Sequence, residues 1–209
     1  MNAIAQSLTD SAEPERVPLS LRGPASPRVV AGFGFWLFLL SDIVMFGAFF
    51  AAYAVLSGET AGGPTGAELF DKSRVFAETL CLLASSVTCG FSALAAQRGD
   101  RFATYLWLAV TFALGAAFLS LEVAEFAGMV SVGAGPSRSA FLSAFFALVG
   151  AHGVHVTLGL AWLVVMLAQV ATLGFQPMVR RRLFCFALFW HALDIVWVGV
   201  ITIVYLGAR

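Results

Sequence analysis

Eight ionisable side chains stand inside stretches of sequence that are otherwise apolar: Asp42, Glu78, Glu122, Glu125, His152, His155, His191 and Asp194. Six of them fall into pairs three residues apart, Glu122 with Glu125, His152 with His155, and His191 with Asp194. On a helix each such pair shares a face. Carboxylates and imidazoles arranged this way could ligate a metal, hold a haem between two histidines, or pass protons. They could equally be a structural hydrogen-bond network that joins helices. The di-iron bundle pattern pairs Glu-x-x-His on each of two helices, and the Glu-x-x-Glu and His-x-x-His pairs here do not match it. Facing histidines for a haem could come from His191 with His152 or His155, but nothing in the spacing demands it. The reading adopted is the structural network, with catalytic, cofactor and metal roles assigned to none of these residues.

The elements that must position them follow from composition. The chain has 209 residues, of which 60% are hydrophobic and 11% charged, with 20 Phe and a mean hydropathy of +0.89. A soluble domain carries roughly a quarter charged residues. The fold class expected is therefore all-α, a polytopic membrane protein with a bundle of five transmembrane helices. The spans run from about 31 to 56, 74 to 97, 102 to 127, 139 to 172 and 183 to 206. All seven prolines fall outside them, as expected from the hydrogen bond that proline removes from a helix. Residues 1–29 are polar and proline-rich. They read as a flexible cytoplasmic tail with no signal peptide, ahead of a transmembrane domain over 30–209.

A formal net charge of zero argues against nucleic acid as a partner. Cys81, Cys89 and Cys185 read as small buried apolar residues. The tryptophans at 36, 107, 162, 190 and 197 read as packing or interface anchors. Gly150 and Gly153 read as points of close helix approach. Arg180, Arg181 and Arg182 read as a loop cluster that fixes topology and contacts lipid headgroups.

No Lys or Arg lies well inside a span, so each carboxyl must be protonated, pair with histidine, or face water or a polar ligand. The ionised form costs roughly 2.5–3.5 kcal/mol at a membrane helix centre. Five spans place eight Arg on the side of the N-terminus and four Lys or Arg on the other. The positive-inside rule then puts the N-terminus in the cytoplasm and the C-terminus outside.

Three phrases carry a family likeness. Leu40-Ser41-Asp42-Ile43-Val44-Met45-Phe46, Ala151-His152-Gly153-Val154-His155-Val156 and Phe189-Trp190-His191-Ala192-Leu193-Asp194-Ile195-Val196-Trp197 resemble subunit III of the haem–copper oxidases. Leu121-Glu122-Val123-Ala124-Glu125-Phe126 looks like a further landmark of that family. Five spans and Glu78 in Phe76-Ala77-Glu78-Thr79 look like its bo-type ubiquinol oxidase branch. Asp42 stands where the family commonly has a longer buried Glu.

The resemblance implies a non-redox accessory subunit of a proton-pumping terminal quinol oxidase that reduces oxygen to water. It implies no cofactor in this chain, with haem and copper in the partner catalytic subunit. The partners implied are subunit I, other oxidase subunits and phospholipid held in a cleft. The location implied is the bacterial inner membrane. Subunits of cytochrome c oxidases and nitric oxide reductase accessory proteins are the alternatives within the likeness. A haem- or metal-binding membrane enzyme and a proton-coupled carrier are the alternatives outside it.

Overall fold

The computed structural model describes residues 27–207. The expected tail therefore lies largely outside the described residues. Six α-helices follow in order: α1 Pro27–Leu56, the short α2 Gly66–Leu69, α3 Lys72–Arg98, α4 Arg101–Ser131, α5 Ala140–Leu173 and α6 Pro177–Val200. The last continues as a π-helical turn, Ile201–Tyr205. All but α2 are long and apolar enough to cross a membrane. Among the described residues there is no strand.

Two boundary expectations are corrected. Pro27 and Pro177 do not lie outside the helices. Each is the first residue of one, where its missing N–H would have had no intrahelical partner in any case. Consequently Arg180, Arg181 and Arg182 belong to the first two turns of α6 rather than to a loop. Arg180 stacks over the Phe175 ring at 5.4 Å.

The ends of the helices are written in local chemistry. Gly99 takes a left-handed φ of 79° and ends α3, its N–H bonding back to Ala95 and Ala96 carbonyls. The next residue, Asp100, caps α4 by accepting from the Ala103 N–H at 3.0 Å. Two adjacent residues thus reverse the chain completely. Asp71 caps α3 and Ser139 caps α5 in the same manner.

The chain divides at residues 36 and 37, and the polar groups all belong to the unit Leu37–Arg209. There α3 packs on α4, α4 on α5, α5 on α6, and α6 back on α3. These four helices close a bundle. Across the α3–α4 seam the buried Thr88 and Thr111 hydroxyls lie 2.8 Å apart. Small hydroxyl residues let membrane helices approach while their own polar atoms stay satisfied. The α1 residues Leu39, Phe46 and Tyr53, seven apart, are its buried stripe. Phe46 meets His155 on α5 at 5.2 Å between ring centres, and Phe50 meets Gly199 on α6. A cavity of about 480 Å³ lies beside this contact, lined by Tyr53, Ser57, Gly66, Phe141 and Ile203. The outward faces carry exposed apolar side chains such as Val123, Val154, Phe184 and Ile195, as a lipid-facing surface requires.

Candidate functional site

Trp190 shows how α6 is seated. Its ring enters a slot between Gly115 of α4 and Gly159 of α5, where an added Cβ would lie 2.9 Å from ring carbons on either side. Its Nε1–H donates to Ser85 Oγ on α3 at 3.0 Å. Ser85 in turn donates to the Leu82 carbonyl. One side chain thereby touches the three other helices of the bundle.

The adjacent residue repeats the contact. His191 Nδ1 lies 2.7 Å from Ser86 Oγ, and Asp194 Oδ2 lies 3.5 Å from the same nitrogen. Almost two turns on from His191, Trp197 Nε1–H donates to Thr79 Oγ1 at 3.1 Å, and Thr79 donates to the Val75 carbonyl. Ser85, Ser86 and Thr79 are interhelical hydrogen-bond partners that the sequence reading missed. The signal was available: five hydroxyl residues, at 79, 85, 86, 88 and 92, punctuate one apolar span.

The two histidines of α5 share Phe46 of α1 as a neighbour, at 6.4 Å and 5.2 Å, and otherwise differ. His152 is fully buried, stacked on Trp197 at 5.2 Å and edge-on to Phe118 at 5.7 Å. Neither of its ring nitrogens has a protein partner. His155 donates Nδ1–H to the Ala151 carbonyl at 2.7 Å and holds Nε2 3.9 Å from Asp42 Oδ2.

The carboxyls of α3 and α4 form a separate group. Glu78, Glu122 and Glu125 are 0%, 2% and 5% exposed and lie near enough to one another to interact electrostatically. Tyr205 donates its hydroxyl to Glu125 Oε2 at 2.9 Å. The π-helical turn at 201–205 buries Val204 and Tyr205. The other oxygen of Glu125, and both oxygens of Glu78 and Glu122, receive no protein hydrogen bond. Glu122 rests on Gly153, where an added Cβ would lie 2.7 Å from its Oε1. Gly153 is thus a point of close approach, as expected. Gly150 is not, since its added Cβ would meet only the Phe126 ring at an ordinary 3.7 Å.

The eight polar residues therefore do not share one cluster. They divide into the His191–Asp194–Ser86 contact, the His155–Asp42 contact, the aromatic enclosure of His152, and the carboxyl group with Tyr205. Among the described residues no three His, Cys, Asp or Glu side chains are placed to hold a metal ion. Cys81, Cys89 and Cys185 are free thiols, with only Cys89 fully buried.

Comparison with known proteins gives this architecture a family. The profile for "Cytochrome c oxidase subunit III" matches residues 20–208. The cytochrome bo(3) ubiquinol oxidase subunit 3 of Pseudomonas aeruginosa is 52% identical over 174 residues, 83% of either chain. The quinol oxidase subunit 3 of Bacillus subtilis is 43% identical over 173 residues, 83% of this chain and 85% of its own. The cytochrome c oxidase subunit 3 of Bacillus sp. strain PS3 is 41% identical over 173 residues, 83% and 84% of the two chains. With five helices able to cross the bilayer and a match over nearly its whole length, this multi-pass membrane protein belongs to the cytochrome c oxidase subunit III family.

Proposed function

We propose that the chain is the non-redox subunit III of a proton-pumping terminal quinol oxidase, seated beside the haem- and copper-bearing catalytic subunit. The observation that carries this is the 52% identity to a ubiquinol oxidase subunit 3 over most of both chains. Electron transfer and oxygen reduction belong to the partner. This chain supplies a helical wall whose polar residues, Asp42, Glu78, Glu122, Glu125, His152, His155, His191 and Asp194, fix how its helices pack. The Trp190 slot and the paired Ser85 and Ser86 contacts support that role for the α3–α6 seam. The N-terminus is cytoplasmic and the C-terminus periplasmic, in the inner membrane. Arg180, Arg181 and Arg182 contact lipid headgroups, and the 480 Å³ cavity beside α1 is where phospholipid is retained.

Affinity purification of this chain in mild detergent tests the reading. A haem–copper catalytic subunit should copurify, and the complex should consume oxygen with quinol. Oxidation of reduced cytochrome c instead would move the complex to the cytochrome c branch. Isolation of the chain alone with stoichiometric haem or metal would overturn the reading altogether.

A further inference from the structure

The carboxyl group at the loop end of α3 and α4 has a feature that helix packing alone leaves unexplained. A cavity of about 310 Å³ is lined by Glu68, Leu69, Asp71, Arg74, Glu125, Gly128, Met129 and Val132. Its wall thus runs from α2 and the start of α3 to the end of α4. Glu125 stands six residues before the end of α4 at Ser131, and Glu122 nine. At 1.5 Å per residue those are depths of about 9 Å and about 14 Å. Arg74 stands one turn before Glu78 on α3 and interacts with both Glu78 and Glu125. Glu78, six residues after the start of α3, lies at the same depth of about 9 Å, so the order from the mouth inward is Asp71 and Arg74, then Glu78 and Glu125 with Tyr205, then Glu122.

We propose that Glu78, Glu122 and Glu125, together with Tyr205, form a proton-binding site that exchanges with water on the loop side through this cavity. Three ionised carboxylates in so dry a place would repel one another strongly, and a single guanidinium at the mouth cannot balance them. Protonation removes the charge and turns a carboxyl oxygen into a donor to water entering the cavity. The balance is simple: a carboxylate takes one proton from water entering the cavity and returns it by the same route. The titratable and charged neighbours are Arg74, Asp71 and Glu68 around the cavity and Tyr205 from the π-helical turn. From α5 the cluster meets Gly153, and His152 beside it turns its ring to Trp197 and Phe118. The three carboxyls titrate as a set rather than singly. The site concerns this chain's own side chains and stands whichever electron donor the complex uses.

Infrared difference spectroscopy on the intact complex tests the proposal, reading the carbonyl stretch of protonated carboxylic acids at neutral pH. Wild type minus Glu122→Gln and wild type minus Glu78→Gln should each isolate such a band, and transfer to D2O should shift it. Gly128→Leu leaves every carboxyl in place, and its added Cβ meets no atom within 4 Å. It should obstruct the mouth, preserve the band and slow its deuterium shift severalfold. This variant keeps a readout even where a glutamine variant fails to assemble. A band absent from both difference spectra would overturn the proposal. So would a band indifferent to D2O, or an exchange rate that Gly128→Leu does not change. Loss of the band on replacing choline with sodium would overturn it in favour of a cation site.

Discussion

Across the α3–α6 seam, Ser85, Ser86 and Thr79 meet Trp190, His191 and Trp197 at 3.0, 2.7 and 3.1 Å. At the loop end of the same bundle, Glu78 and Glu122 are buried as deeply and receive no hydrogen bond from any protein group. In the first region the indole N–H groups of Trp190 and Trp197 donate to hydroxyls, and the Ser85 and Thr79 hydroxyls bond back to their own helix as well. Such contacts cost little to bury and hold one geometry. The second region concentrates groups of one kind, all acceptors when ionised, and relieves them only by taking up protons. Neighbouring parts of one bundle therefore differ: in the first the groups other than Asp194 find partners among protein side chains, and in the second Glu78 and Glu122 find none.

The comparison can be broken most sharply at Trp190. Trp190→Ala would empty the slot between Gly115 and Gly159 and leave Ser85 without its donor. Loss of a buried aromatic costs roughly 3–5 kcal/mol, so the thermal midpoint of the complex in detergent should fall by the largest margin of any change named here. A wild-type midpoint would mean that the seam does not hold α6.

Gly153 is the next lever. Gly153→Ala places a methyl group 2.7 Å from Glu122 Oε1 in the native arrangement, and overpacking costs typically about 1–3 kcal/mol. Shortening the opposing side chain in the double variant Gly153→Ala with Glu122→Ala should recover part of the loss. A strictly additive pair, measured by detergent denaturation, would show that the two do not press on each other.

Ser86→Ala removes the hydroxyl from His191. Interhelical hydrogen bonds in membranes average about 0.6 kcal/mol, so the shift in thermal midpoint should be small but reproducible. His191→Ala should exceed it, because packing is lost along with the bond. Smallest of all is Glu122→Gln, which preserves shape and replaces a protonated acid by a neutral amide. Assembly and thermal midpoint should stay near wild type. A large loss of stability would show that the carboxyl region, like the seam, depends on a specific bond.

Much of the fold was legible from residue types. The apolar runs and their punctuation located all five long helices, and Gly99 with Asp100 marked the sharp reversal between α3 and α4. The errors came where one local rule met another. Pro177 reads as a helix breaker from the middle of a helix but as a good first residue from its start, so α6 begins before its arginines rather than after them. Face-sharing pairs were correctly spaced yet led apart. His152 and His155 are one turn from each other and both meet Phe46, but His152 also stacks on Trp197 of α6 whereas His155 turns to Asp42 of α1.

What the sequence determined by itself was therefore the bilayer as solvent, the number of spans, and which polar groups had to be accommodated inside them. These follow from hydropathy and helix period, which act within one segment. What only the tertiary structure decided was the accommodation itself. Trp190 finds its slot because two glycines from different helices face it, Tyr205 reaches Glu125 from the π-helical turn that ends α6, and Glu78 joins Glu122 because α3 lies against α4. Each depends on the approach of two or more backbones. No single helix encodes that distance, because it is set by the side chains of all the helices packed together.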